Sequence, residues 1–144
     1  MTDRPSVDLP DLFLDRSLGR VHVPATLRAA GLRLHTLADV YGSPADETVA
    51  DVDWLALAGH RGWPVLMKDT RIRYRSAERE ALTAHGVRAF CLTNGNLRAA
   101  EMAQHFLEAL PAIERECRAP GPFLFAVSRS GLRRIHLAGP GEVS

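Results

Sequence analysis

Asp51-Val-Asp-Trp-Leu-Ala-Leu-Ala-Gly-His-Arg-Gly-Trp-Pro-Val-Leu-Met-Lys-Asp69 decides how the chain is read. Trp54, Leu55 and Ala58 follow Asp51 at offsets of three, four and seven, which is one face of a helix. Gly62 is placed to cap that helix at its C-terminus. Trp63 to Met67 is then an apolar run of strand type, with Pro64 acceptable only at its first position, and the run ends at Lys68 and Asp69. Helix, turn and buried strand in that order are the unit of a parallel α/β sheet.

Working outward, the same alternation recurs. Upstream, Leu12-Phe-Leu14 is a short buried strand closed by Asp15. A helix begins near Pro24, turns Leu27 and Ala30 inward and stops at Gly31. Leu32 to Leu37 reads as a further strand, broken by Gly42-Ser-Pro44. Downstream, residues 76–85 suit a short helix with Ser76 as N-cap, and Val87 to Leu92 is another apolar run. A long helix follows Asn96, with Pro111 expected to kink or divide it. Phe123–Val127 and Leu132–Leu137 flank Ser128-Arg-Ser-Gly131, the pattern of a terminal hairpin. The expected organisation is a lead-in at 1–10, an α/β domain at 11–119 and a C-terminal β-hairpin extension at 120–144, standing as an appendage. The fold class is α/β, a short parallel sheet flanked by helices in three layers.

Composition narrows the class of function without choosing it. The chain has 144 residues and a formal net charge of +1, so one domain is expected and charge alone names no partner. Seventeen of the eighteen basic residues are Arg, and Arg71, Arg73, Arg75 and Arg79 crowd into nine positions. Cys91 and Cys117 have no paired spacing, which argues against a disulfide scaffold or zinc site and suits a reducing cytoplasm. No apolar stretch approaches membrane-spanning length and the polar start is unlike a signal peptide. A cytoplasmic protein is expected.

The layout places three acids at one edge. Asp15 and Asp69 stand where strands end, and Asp51 opens a crossover helix whose N-terminus lies at that same edge, where ligands of open α/β sheets bind. Carboxylates crowded together raise one another's pKa. A hard divalent cation, Mg²⁺ or Mn²⁺, relieves that repulsion, lowers the pKa of a bound water and stabilises charge growing on a phosphate. Singly, each acid is more often structural: an Asp at a helix start caps it, and an Asp after a strand forms a turn. Their convergence favours the functional reading. Asp53, about 200° round the helix from Asp51, reads as solvated, and nothing in the sequence fixes Asp46 or Glu47.

The segments Phe13-Leu-Asp-Arg-Ser-Leu-Gly19, Asp51-Val-Asp-Trp-Leu-Ala-Leu-Ala58 and Val65-Leu-Met-Lys-Asp-Thr-Arg-Ile-Arg73 resemble the PIN-like domain of VapC-type toxins, in its compact branch. The resemblance spans roughly residues 12 to 110. It implies a Mg²⁺- or Mn²⁺-dependent endoribonuclease restrained by a protein antitoxin, commonly a homodimer, with Asp15, Asp51 and Asp69 as the catalytic, metal-holding acids. It departs from the ordinary pattern in lacking a clear acid on an early helix, and the terminal hairpin lies outside the usual core.

Arg71, Arg73 and Arg75 follow Asp69 directly, with Tyr74 among them; beside the crevice they would meet RNA phosphates and a base, and as a solvated face they would pair with nearby Glu. A receiver-type phosphoacceptor needs an acidic pair after the first strand, but Arg16 follows Asp15. A haloacid-dehalogenase phosphatase needs an Asp where Ser17 stands, and no Walker-type loop appears. The rival of a different class is a catalytically weak PIN-like module that binds RNA or a protein partner.

Overall fold

The computed structural model describes residues 9–137. In chain order the elements are β1 (Leu12–Leu14), α1 (His22–Ala29), β2 (Leu34–Thr36), α2 (Leu37–Tyr41), α3 (Asp51–Arg61), β3 (Val65–Lys68), α4 (Ser76–Ala84), β4 (Arg88–Leu92), α5 (Ala99–Glu116), β5 (Phe123–Ser128) and β6 (Gly131–Ile135). Single 3₁₀ turns lie at Arg16–Leu18, Ala45–Glu47 and Ile72–Tyr74.

All six strands form one sheet in the order β2-β1-β3-β4-β5-β6, parallel except for the final antiparallel pair. Strand alternation divides the core in two. Leu12, Leu14, Leu66, Phe90, Phe123 and Phe125 face α1 and α5, meeting Val23, Leu27, Phe106 and Ile113. Phe13, Val65, Met67, Ala89 and Cys91 face the other way, toward Trp54, Leu55 and Ala58 of α3 and Leu82 of α4. A sheet covered on both faces needs strands that are apolar throughout, which is why these runs show no polar alternation. Phe13 stacks on Trp54 with ring centroids 5.3 Å apart, fixing α3 against the first strand.

Several expectations are refined. Strand β2 is only three residues long because its last residue, Thr36, is also the cap of α2, its hydroxyl accepting from the Asp39 amide while the Asp39 carboxylate accepts from the Thr36 amide. At α4 the cap position falls on Arg75; Ser76 is the first helical residue and gives no side-chain cap. Helix α5 runs undivided through Pro111, held to the core by Phe106, Ala109 and Ile113 on either side. The terminal hairpin is present but does not stand apart. Its first strand pairs in parallel with β4 from Phe123 to Val127, and all five of those residues are buried.

Chain order explains where function belongs. The connection from β1 runs outward to β2, and the next crossover returns past β1 to β3 on its other side. The sheet direction therefore reverses between β1 and β3, and the loops leaving their carboxyl ends diverge to open a crevice there. Asp15 follows β1 and Asp69 follows β3.

Candidate active site

Each acid reaches the crevice from its own element. The Asp15 amide still donates to Leu66 O at 3.1 Å, so the residue is the last rung of the ladder. Its Oδ1 accepts from the Arg16 amide at 2.7 Å and its Oδ2 from the Ser17 hydroxyl at 2.6 Å. Ser17 Oγ in turn accepts from the Lys68 amide at 3.0 Å, tying the end of β1 to the end of β3. Ser17 therefore has a structural role at this edge.

Asp51 is the first helical residue of α3, after Ala50, and makes no cap. Its Oδ1 instead accepts from the indole N–H of Trp54 at 3.0 Å and faces Arg16 Nη1 at 3.5 Å. The three-residue spacing that suggested a buried helix face also places the indole beneath the carboxylate. Asp69 extends the ladder through its amide to Leu92 O at 2.9 Å. Its Oδ1 accepts from the Arg71 amide at 2.8 Å, and its Oδ2 pairs with Arg75 Nε at 2.7 Å.

One open cavity of about 680 Å³ is lined by all three acids together with Arg16, Ser17, Lys68, Thr70, Arg75 and Gly95. Asp53 is exposed, as expected for a solvated residue, and Arg71, Arg73 and Tyr74 are exposed beside the cavity without lining it. The cationic group in the crevice from that cluster is Arg75, whose guanidinium is held charged by its hydrogen bond to Asp69 and by the charges of Asp69, Glu78 and Asp51.

Electrostatics follow from this crowding. Burial pushes the Asp15 carboxyl above its usual range, and the charge of Asp51 adds to the rise; the Ser17 hydrogen bond opposes both. Beneath the crevice, burial pushes the Cys91 thiol up to about 12, and Cys117 is raised by burial to about 11. Both are free and buried, so neither supplies a thiolate nucleophile.

The donor set suits a hard divalent cation in kind: three carboxylates, mutually repelling, open to solvent on one side. The spacing is not yet a cage. Among the described residues no group of three Asp, Glu, His or Cys side chains stands close enough to hold a metal ion, and guanidinium groups occupy Asp69 and approach Asp51. Arg75 stands in the crevice as the cation paired with Asp69 Oδ2, and Asp69 would have to release it to hold a metal ion.

Arg16 and Arg20 were missed as site builders, and it is they that fix Asp46, whose position the sequence left open. Arg16 Nη2 donates to Asp46 O at 3.0 Å and Val49 O at 2.7 Å while Nη1 faces Asp51, so one side chain sets the loop before α3. Arg20 donates to the buried Asp46. These pairs join positions 26 to 35 residues apart, and local periodicity carries no signal for them.

Comparison with known proteins agrees with this architecture. A family model described as "PIN like domain" matches residues 10–94. The protein named "Putative ribonuclease VapC45" from Mycobacterium tuberculosis is 39% identical over 128 residues, covering 89% of this chain and 93% of its own length. No solved structure gives a significant match.

Proposed function

Because the chain belongs to the PIN-like domain family, we propose that it is a divalent-metal-dependent endoribonuclease of the VapC toxin type, with Asp15, Asp51 and Asp69 as the acids that hold the ion. The observation that carries the reading is the lining of one open crevice, at the reversal point of the sheet, by carboxylates from three separate elements. The name of the mycobacterial relative supports RNA as the substrate.

A bound Mg²⁺ or Mn²⁺ would supply a hydroxide-like water at neutral pH and neutralise charge on the scissile phosphate. The chain's own groups do the positioning. Ser17 and the Arg16 amide hold Asp15, the Trp54 indole holds Asp51, and the Arg71 amide holds Asp69. Arg75, once released from Asp69, and Lys68 stand beside the cavity as phosphate contacts, with the exposed Arg71 and Arg73 extending the basic track outward. A protein antitoxin, a homodimeric state and a cytoplasmic setting belong to the same reading.

One observation favours the catalytically weak module that binds RNA or a protein: guanidinium groups already stand against two of the three acids. A cleavage assay on single-stranded RNA decides between them. The enzyme reading expects cleavage with Mn²⁺ or Mg²⁺, its loss in EDTA, and a fall of about a hundredfold or more in Asp15→Asn and Asp69→Asn proteins. RNA bound equally by parent and variants, with no cleavage by any of them, decides for the binder.

A further inference from the structure

Two arginines stand against the acids of the crevice, and they are held in different ways. Arg16 Nη1 faces Asp51 Oδ1 at 3.5 Å, but its Nη2 donates to two backbone carbonyls, Asp46 O at 3.0 Å and Val49 O at 2.7 Å. Those bonds keep Arg16 in place whatever Asp51 does. Arg75 has no such anchor. Among the described residues its side chain is paired with Asp69 alone, Nε to Oδ2 at 2.7 Å, and is 47% exposed. An exposed pair of this kind contributes little to stability, so the guanidinium leaves at small cost. Asp69 keeps its own place without it, because its Oδ1 accepts from the Arg71 amide at 2.8 Å and its amide continues the ladder to Leu92 O. While paired, the Arg75 guanidinium sits in the field of both Asp69 and Asp51, as a bound cation would.

Resting on the metal-dependent reading above, we propose that Arg75 is a built-in competitor of the metal ion: its guanidinium neutralises Asp69 in the ion-free protein and leaves that carboxylate when the crevice takes up a divalent cation. The exchange is one cation for another on the same acid. A guanidinium and a divalent ion side by side repel each other, and in a partly buried crevice salt screens that repulsion less than at an open surface. A hard dication bound directly to carboxylate oxygens outcompetes a single exposed ion pair once its concentration suffices. Two consequences follow for this chain. The crevice binds its ion more weakly than the three acids would without Arg75. Between binding events, in exchange, the chain carries less unpaired negative charge at an edge where carboxylates raise one another's pKa. Arg71 and Arg73 cannot substitute, since both are exposed and neither lines the cavity.

The test measures the ion alone, on the full chain without RNA. Calorimetric titration with Mn²⁺ is expected to give a Kd about fivefold lower for Arg75→Met than for the parent, the upper end of what releasing an exposed ion pair provides. Arg73→Met removes the same charge from the same segment without touching Asp69, and is expected to shift the Kd by less than about twofold because exposed charges are screened. That comparison separates loss of the competitor from a general loss of positive charge. The parent supplies a second readout. In NMR spectra the Arg75 Nε–H resonance, assigned by through-bond correlation to its own backbone, is expected to move to the position of a solvated arginine as Mg²⁺ is added, with its midpoint at the calorimetric Kd for Mg²⁺. This decides the matter if Arg75→Met fails to fold. Equal Kd values for parent and Arg75→Met, an equal gain in Arg73→Met, or a resonance that stays in place at saturating Mg²⁺ overturns the proposal. Ion binding that displaces Arg75 without any RNA cleavage leaves the exchange standing and removes the nuclease, and metal-dependent cleavage with Arg75 still paired does the reverse. An ion bound by neither parent nor Arg75→Met removes both.

Discussion

Asp15 shows most plainly how a residue placed for chemistry is poorly placed for stability. Its carboxyl is raised by burial and by Asp51, so the folded state holds the proton more tightly than the unfolded chain does. Stability from such a group is fully present below the unfolded carboxylate pKa and is lost as the pH rises through the folded value. At pH 7 the ionised Asp15 therefore weighs against folding. Asp15→Asn is expected to melt at a higher temperature than the parent at pH 7, with the gap closing as the pH falls toward 4. Thermal melts across that range check the sign; a variant less stable at pH 7 would show that the Ser17 and Arg16 hydrogen bonds outweigh burial. The substitution expected to end cleavage is thus expected to strengthen the fold, which is the usual opposition between activity and stability.

At the scale of elements, helix α3 carries Asp51 and its placement depends on a close approach to α4. A Cβ added at Gly59 would lie 2.3 Å from the His85 carbonyl oxygen, a backbone atom that cannot rotate away. Gly59→Ala is expected to cost about 1–3 kcal/mol, the usual penalty of overpacking, measured by urea unfolding. Cleavage is expected to fall further than stability, because α3 must tilt and take Asp51 with it. The elements themselves were legible in sequence. Leu12–Leu14 and Val65–Met67 could be read because strands buried on both faces are uniformly apolar, and α3 because Trp54, Leu55 and Ala58 repeat at helical spacing. The acids were legible because strand ends and a helix start are local events. The Arg75 pair with Asp69 and the Arg20 pair with Asp46 were not, since a guanidinium several bonds from its backbone can reach acids on many sides. Helix α2 was missed because a five-residue helix is shorter than any window in which periodicity shows.

For the whole molecule, the closing hairpin belongs to the sheet. Strand β5 is buried from Phe123 to Val127, and Phe123 and Phe125 pack with Phe90 at centroid distances of 5.6 and 5.9 Å. A chain ending at residue 119 would leave one side of β4 without a neighbour and uncover both halves of the core. Such a truncation is expected to lose its cooperative thermal transition and to aggregate, as read by circular dichroism and size-exclusion chromatography. A truncated chain that melts cooperatively would restore the hairpin to the status of an appendage.

Among the described residues the same sheet ends at β6. Among those residues strand β6 pairs on one side only, and its other side is a row of backbone donors and acceptors onto which a foreign strand can add. Arg133 and Arg134 are exposed there, and Arg134 lies over the Phe125 ring at 4.8 Å. As neighbours in one strand they point to opposite faces of the sheet, so each face of that edge carries a positive charge that an identical edge would meet. Copies of this chain that meet at this edge are therefore steered away from fusing their sheets into a continuous ribbon.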